Sequence, residues 1–193
     1  MKSIKLIIVM IALLCLTCNN HQKINASAPR YEQSVEAHLF IEQSMPSWQK
    51  LAIRVAAERW QEKTRGAMII YDHDWSDVEA QISAHAGGSY ILVFQNITSN
   101  DQRVKKWDDE LGLMTLGITK RFGNRIATSY MIADRLMMFD SYVAIAMHEI
   151  GHGIDLSHVN DKGSIMSRVW TSGNEFSTYD LLEFCEVHQC VDH

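Results

Sequence analysis

The feature that most constrains this chain is the spacing of three histidines, at positions 148, 152 and 158. Residues four apart on a helix lie about 40° apart around the axis and one turn along it. His148 and His152 therefore reach one ion from the same helix face. A continuing helix would carry His158 away from that ion, so the chain must turn back just after His152. Gly153 and Asp155 lie in this interval, and both residue types support a left-handed helix end.

The residue between the two helical histidines adds chemistry to this geometry. Glu149 directly follows the first histidine, about a quarter-turn round the helix. There its carboxylate can act on a water at the metal without capturing the metal. Two helical histidines with such a glutamate are the arrangement of zinc peptidases. Three neutral imidazoles and one water complete an open tetrahedral zinc site.

A methionine eight residues after the last histidine extends the pattern. Residues 148–158 resemble the metzincin zinc signature, and Met166 resembles the methionine of that family's Met-turn. The interval between His158 and Met166 is similar to that of the matrixins, the branch that includes matrix-metalloproteinase-like enzymes. The resemblance implies one catalytic zinc ion on His148, His152 and His158, with Glu149 as the general base of peptide-bond hydrolysis. It also implies a cleft between two subdomains.

The sequence departs from the family pattern at two positions. Asp155 replaces the usual glycine three residues before the third histidine. Glycine is favoured there because the turn needs positive φ, which aspartate tolerates better than most residues; the alternative is that the turn shifts to Gly153. Arg168 stands two residues after the methionine, where metzincins with a tyrosine ligand carry that tyrosine. This second departure favours the matrixin branch.

The same resemblance suggests how a peptide substrate binds. An extended substrate pairs with an edge strand, for which the sequence favours residues 111–118, and such pairing combines backbone hydrogen bonds with side-chain pockets. The chain after Met166 is expected to form another wall. The predicted substrate-binding residues are Leu113, Met114, Thr115, Leu116, Gly117, Val169 and Trp170. The alternative function is a binding module of the same fold that holds zinc and peptides without turnover, and the intact Glu149 argues against it.

Hydrophobic periodicity predicts the elements around this segment. Strands are expected at residues 36–42, 67–71, 89–97, 111–118 and 125–133, and long helices at 46–63 and 139–153. Ser177 and Asp180 resemble a capping box ahead of a last helix. The predicted fold class is α/β (α+β) and metzincin-like. It comprises one twisted mixed sheet packed against two long helices, then a C-terminal subdomain with the Met-turn and the last helix.

Charge composition narrows the partners. The formal net charge is −5, which gives no indication of a nucleic-acid partner. Asp72, Asp74 and Asp77 form a small acidic cluster. Their spacing lacks the glycine and distal glutamate of a calcium loop, so a solvated loop is favoured over a calcium site.

The N-terminus has the pattern of an export signal. Lys2 and Lys5 precede an apolar run at residues 7–16, which is too short to span a bilayer as a mature helix. Cys18 at the end of this run suggests a lipoprotein signal, cleaved before Cys18 and lipidated on it. The competing cleavage site is Ala26-Ser27-Ala28. The predicted organisation is a signal at 1–18, a polar tether at 19–35 and a catalytic domain at 36–193, in an exported protein that is either lipid-anchored in the cell envelope or secreted.

Two cysteines remain outside the signal. Cys185 and Cys190 lie close together, and in an oxidising compartment such a pair predicts a disulfide. Free thiols are one alternative. A second metal site is another, since Cys185, His188, Cys190 and His193 are four potential ligands within nine residues.

Overall fold

The computed structural model describes residues 34–85, 87–123, 125–136, 138–171 and 174–190. The predicted signal at 1–18, with Cys18, and nearly all of the predicted tether lie outside these residues. No helix in the described part is long and apolar enough to cross a membrane.

Strands and helices follow the order that the periodicity predicts, with two additional helices. The strands are β1 (Val35–Ile41), β2 (Met68–His73), β3 (Tyr90–Ile97), β4 (Gly117–Arg121) and β5 (Ile126–Ile132). The α-helices are α1 (Ser47–Lys63), α2 (Val78–Ala84), α3 (Gln102–Leu111), α4 (Phe139–Gly153) and α5 (Thr178–His188). Single turns of 3-10 helix occur at Trp75–Asp77 and Ala133–Arg135.

One mixed sheet organises these elements. The strand order is β2-β1-β3-β5-β4. Strands β2, β1, β3 and β5 run parallel to one another. Strand β4 pairs antiparallel with β5, and Thr119 of β4 lies opposite Ser129 of β5. The hairpin places β4 at one edge of the sheet. The predicted α/β class, with one mixed sheet against two long helices, is confirmed.

The two long helices cover one face of the sheet and enclose the main core. Trp60 on α1 is fully buried, and its indole Nε1 donates a hydrogen bond of 2.8 Å to the carbonyl of Met147 on α4. The Trp60 ring also packs edge-on against Phe176, with ring centroids 4.8 Å apart. Gly153 lets α4 approach the sheet closely, since a Cβ there would lie 2.5 Å from Leu92 Cδ2. Burial of this apolar surface is the main force that fixes α4 on the sheet.

The strand predicted at residues 111–118 is wrong over most of its length. Leu111 is the last residue of α3, and Gly112 ends that helix in the left-handed conformation, at φ 66°. Residues 113–116 are then irregular, and the strand begins only at Gly117. Apolar residues in this stretch suggested a strand, but their side chains line a cleft instead.

Helix α3 is an element that hydrophobic periodicity missed. Asp101 caps its N-terminus by accepting a hydrogen bond from the Arg103 N–H. Val104 and Trp107 are buried against Ile132. This second cluster includes residues of β3, β4 and β5 as well, so α3 supports the edge of the sheet near β4.

After α4 the chain forms a C-terminal subdomain with little regular structure before α5. Ser177 caps α5, and Asp180 completes the capping box, as the sequence predicts. Cys185 and Cys190 are joined by a disulfide. Helix α5 ends at His188, so Cys190 lies beyond the helix and can return to Cys185. The His188 ring bonds to the Ile154 carbonyl at 3.0 Å, and His193 lies outside the described residues.

Helix α4 also packs closely against the chain that follows it, through Gly151. A Cβ on Gly151 would overlap Met166 Sδ and lie 3.0 Å from Met166 Cε and 3.3 Å from Trp60 Cζ2. We therefore expect Gly151→Ala to lower the free energy of unfolding by about 1–3 kcal/mol, the cost of overpacking a filled core. Gly88→Ala is the matched control, because no atom lies within 4 Å of a Cβ there. Equal melting temperatures for the two variants in thermal unfolding would contradict this packing.

Candidate metal centre

The end of helix α4 turns the chain back toward its own last turn. The Leu156 N–H donates to the Gly151 carbonyl at 2.9 Å, and the Asp155 N–H donates to the His152 carbonyl at 3.2 Å. Asp155 itself has φ 74°. These are the two hydrogen bonds of a Schellman motif with a left-handed residue just past the helix. The left-handed residue is Asp155, and the alternative of a turn at Gly153 is wrong.

This turn brings the three predicted histidines together. Nε2 of His152 lies 3.0 Å from Nε2 of His148 and 3.2 Å from Nε2 of His158. Among the described residues these three form the one group of three or more His, Cys, Asp or Glu side chains whose ligand atoms lie within 4.8 Å of one another. Asp72 of the acidic cluster is not part of such a group and forms an ion pair with Arg54.

Backbone carbonyls orient the two helical histidines from behind. Nδ1 of His148 bonds to the carbonyl of Ile165 at 2.7 Å, and Nδ1 of His152 bonds to the carbonyl of Leu156 at 2.9 Å. A carbonyl only accepts, so each Nδ1 carries the proton and each Nε2 presents a lone pair. The Leu156 carbonyl belongs to the Schellman turn, so the same turn ends the helix and orients a ring.

Burial keeps these rings neutral. It lowers the pKa of His148 to about 3 and of His152 to about 4, and it also lowers the pKa of His158. Burial disfavours the imidazolium form, so all three rings are predominantly neutral at pH 7, the state that ligates a metal. Three converging neutral imidazoles with their Nδ1 atoms held by the protein fit the donor set of a zinc ion that keeps one open position.

The turn that contains Met166 packs against helix α4, next to the two helical histidines. Met166 is fully buried and packs against Gly151, as described above. The buried carboxylate of Asp180 accepts hydrogen bonds from the hydroxyl of Ser164 and from the N–H groups of Ile165 and Met166. A residue of helix α5 therefore fixes the turn whose Ile165 carbonyl orients His148.

Glu149 lies beside the histidines but is turned toward strand β4. Its side chain is 2% exposed, and its Oε2 accepts a hydrogen bond of 2.6 Å from the Thr119 hydroxyl. Burial raises the pKa of Glu149 to about 7, and the hydrogen bond from Thr119 opposes this increase. A carboxyl group with a pKa near 7 can both take up and release a proton under physiological conditions.

A cleft of about 990 Å³ opens over this centre and contains the predicted site residues. The three histidines and Glu149 line it. All seven predicted substrate-binding residues line it as well: Leu113, Met114, Thr115, Leu116, Gly117, Val169 and Trp170. Met114 and Val169 are 64% and 60% exposed, so the rim of the cleft is apolar and accessible.

An ion pair that no sequence pattern indicates holds the chain at one side of this cleft. Arg135 binds the carboxylate of Asp108 on α3 with two nitrogens, at 3.0 and 2.6 Å. The same two side chains bind the backbone of Thr115: Asp108 accepts from its N–H at 2.7 Å, and Arg135 donates to its carbonyl at 2.7 Å. Side chains thus satisfy backbone groups that a strand would pair with a neighbour. The two partners lie 27 residues apart, so no local pattern marks the pair.

Asp155 does not orient either helical histidine. Its carboxylate accepts a hydrogen bond of 2.9 Å from the Tyr90 hydroxyl and pairs with Arg121. The two histidines are held by carbonyl groups instead.

Comparison with known proteins agrees with this geometry. The fold and the three-histidine centre are those of zinc metallopeptidases. The sequence profile of the matrixin family matches residues 49–183, and the chain belongs to the matrixin family. No curated protein matches the sequence.

Solved structures of similar shape have low sequence identity. Archaemetzincin from Methanopyrus kandleri is 14% identical, with 81% of this chain and 96% of that chain covered and a TM-score of 0.49. Metalloproteinase-II from Bacteroides fragilis is 12% identical, with 83% of this chain and 55% of that chain covered and a TM-score of 0.47.

We expect protein purified without added metal to contain about one zinc ion per chain. His158→Ala should sharply lower this content, because two imidazoles alone make an incomplete site. His38→Ala, on strand β1 and outside the cleft, should leave it unchanged. Elemental analysis of the three proteins measures the difference. Equal zinc content in His158→Ala and wild type would exclude His158 as a ligand.

We expect Asp155→Gly to leave zinc affinity unchanged, since the Asp155 carboxylate bonds to Tyr90 and Arg121. Glycine relieves the positive φ by up to about 1 kcal/mol. Loss of the exposed pair with Arg121 and of the hydrogen bond from Tyr90 offsets this gain. Stability should therefore be close to that of wild type or slightly lower. Asp155→Ala loses the same contacts without relieving φ, so it should melt at a lower temperature. Weaker zinc binding by Asp155→Gly in a competition titration would instead show that the carboxylate supports the ligands.

Proposed function

We propose that this matrixin is an exported zinc metalloendopeptidase that hydrolyses peptide bonds with Glu149 as general base. The observation that carries the proposal is the position of Glu149, which lines the same cleft as three converging neutral histidines. Family membership supports zinc and a peptide or protein substrate. The remaining steps follow from the chain's own groups.

His148, His152 and His158 are the residues that would hold the metal. When bound there, zinc supplies Lewis-acid chemistry: it lowers the pKa of a water and polarises the scissile carbonyl. Glu149 takes the proton of the attacking water and delivers it to the departing amine. Its burial excludes bulk water from this transfer, and its raised pKa suits both directions of it.

The substrate is proposed to lie extended along β4. This strand is at the sheet edge and pairs on one side with β5, so its other side offers backbone groups for strand addition. Residues 113–117, together with Val169 and Trp170, line the cleft where the substrate side chains would lie. The edge strand is thus residues 117–121 rather than the predicted 111–118, and residues 113–116 line the cleft beside it.

Export and lipid attachment at Cys18 are part of the proposal and rest on the sequence of residues 1–28 alone. Mass spectrometry of the N-terminal peptide of the mature protein tests both export and lipid attachment. A lipidated Cys18 at the new N-terminus supports anchoring, and an N-terminus after Ala28 supports secretion. A mature protein that still begins at Met1 would contradict export by either route.

Glu149→Gln is the test of the reaction. Glutamine keeps the size of the side chain but cannot accept a proton, so turnover should fall by about 10²- to 10⁴-fold. Zinc content and melting temperature should change little, because the three histidines are untouched. The rate of peptide cleavage is measured on a broad peptide library, with and without a chelator. The zinc content of each protein is measured in parallel. Glu186→Gln, an exposed residue of α5, is the matched control.

Two results would change the assignment. A fully zinc-loaded Glu149→Gln protein that cleaves at the wild-type rate would show that another group is the base. Zinc-loaded wild type that binds peptides but cleaves none would favour the alternative, a zinc-containing binding module of the same fold.

A further inference from the structure

The carboxylate of Glu149 contacts two residues of β4, and the side chain of one of them, Thr119, has no role in the reaction described above. Gly117 and Thr119 are two residues apart on this strand, so they face the same side, toward α4. The Thr119 hydroxyl lies 2.6 Å from Glu149 Oε2. A Cβ at Gly117 would lie 2.6 Å from Glu149 Oε1. One carboxylate oxygen is thus hydrogen-bonded, and the other occupies space that only glycine leaves open.

The hydroxyl of Thr119 has one proton and three neighbours that accept it. These are Glu149 Oε2 at 2.6 Å, the Glu149 carbonyl at 3.2 Å and the Ser129 hydroxyl at 2.7 Å. An ionised carboxylate only accepts, and it makes the shorter and stronger bond. When Glu149 is ionised, Thr119 therefore donates to Oε2 and the Ser129 hydroxyl donates to Thr119.

Ser129 is well placed for this role. It is 1% exposed, and it sits directly opposite Thr119 in the antiparallel register of β4 and β5. With Glu149 ionised, the two hydrogen bonds run from Ser129 to Thr119 and from Thr119 to Glu149. The sheet thereby sets the orientation of a carboxylate that belongs to a helix.

We propose that Thr119, itself oriented by Ser129, is a positioning residue for Glu149, and that Gly117 provides the space this position requires. The inference rests on the proposed role of Glu149 as general base. Thr119 holds Oε2, which leaves Oε1 as the oxygen that exchanges a proton with water and with the departing amine. Without the hydroxyl, the carboxylate rotates away from the reacting atoms, and proton transfer slows.

Thr119→Val removes the hydroxyl and keeps the shape of the side chain. We expect kcat to fall by about tenfold to a hundredfold, with KM and zinc content close to wild type. Thr119→Ser restores the donor and should recover most of the loss. Ser129→Ala should give a smaller loss of kcat. Thr128→Val is the matched control, since Thr128 lies on β5 next to Ser129 and faces the other side of the sheet.

Gly117→Ala is a second variant that leaves both hydroxyls in place. Its Cβ displaces Oε1, so kcat should again fall; because Gly117 also lines the substrate cleft, the criterion for this variant is kcat and not KM. This variant keeps the proposal testable if Thr119→Val does not fold. A wild-type kcat in zinc-loaded Thr119→Val, or a rise in KM alone, would overturn the proposal.

A double-mutant cycle with Glu149→Gln tests whether Thr119 acts through Glu149. If it does, Thr119→Val has no further effect on turnover once Glu149 is glutamine. Independent, multiplying losses would contradict the proposal.

The same cycle, read by melting temperature, does not depend on activity. Thr119→Val should lower the melting temperature more with Glu149 than with Gln at that position, because a hydrogen bond to a carboxylate is stronger than one to a neutral amide. Equal effects would overturn the inference. Wild type that cleaves no peptide would count against the proposed function, and the melting cycle would still decide whether Thr119 holds Glu149.

Discussion

The site depends first on where helix α4 stops. Had the helix continued past Gly153, His158 would point away from His148 and His152, and no centre would form. The Schellman motif ends the helix there, and its own Leu156 carbonyl orients His152. Asp155 adopts the left-handed conformation that this motif requires. Its carboxylate accepts a hydrogen bond from the hydroxyl of Tyr90 on β3. The backbone hydrogen bonds of this turn thus return the chain so that His158 reaches the other two histidines.

Segments remote from this turn complete the centre, and each contributes through a buried polar group. Asp180 of α5 fixes the methionine turn, whose Ile165 carbonyl orients His148. Thr119 of β4 bonds to the carboxylate of Glu149. Burial makes these groups effective, because a buried acceptor that lost its donor would pay the full cost of desolvation. The sheet, the last helix and helix α4 therefore meet at the metal centre.

The local parts of this arrangement were predictable. Helix α4, the capping box at Ser177 and Asp180, and a turn just after His152 follow from periodicity, capping chemistry and the spacing of the histidines. The sequence left the left-handed residue open between Gly153 and Asp155, and the structure places it at Asp155. The strand predicted at residues 111–118 was wrong over most of its length because the apolar residues there line a cleft and do not form a strand. Thr115 illustrates the cause: its backbone bonds to Asp108 and Arg135, and nothing near it in sequence indicates those partners.

The sequence by itself indicated the three histidines that converge and the glutamate beside them, because these are encoded in spacings of a few residues along one helix and its turn. It also indicated the fold class, through hydrophobic periodicity. Only the tertiary structure decided which oxygen of Glu149 is held and what orients each ring. It also decided where the edge strand begins. Most of those outcomes depend on contacts between residues 10 to 30 positions apart, such as Thr119 with Ser129 and with Glu149; the Leu156 carbonyl that orients His152 is the local exception, four residues away. Strand register and helix packing bring these groups within hydrogen-bond distance, and a single sequence carries no local signal of either.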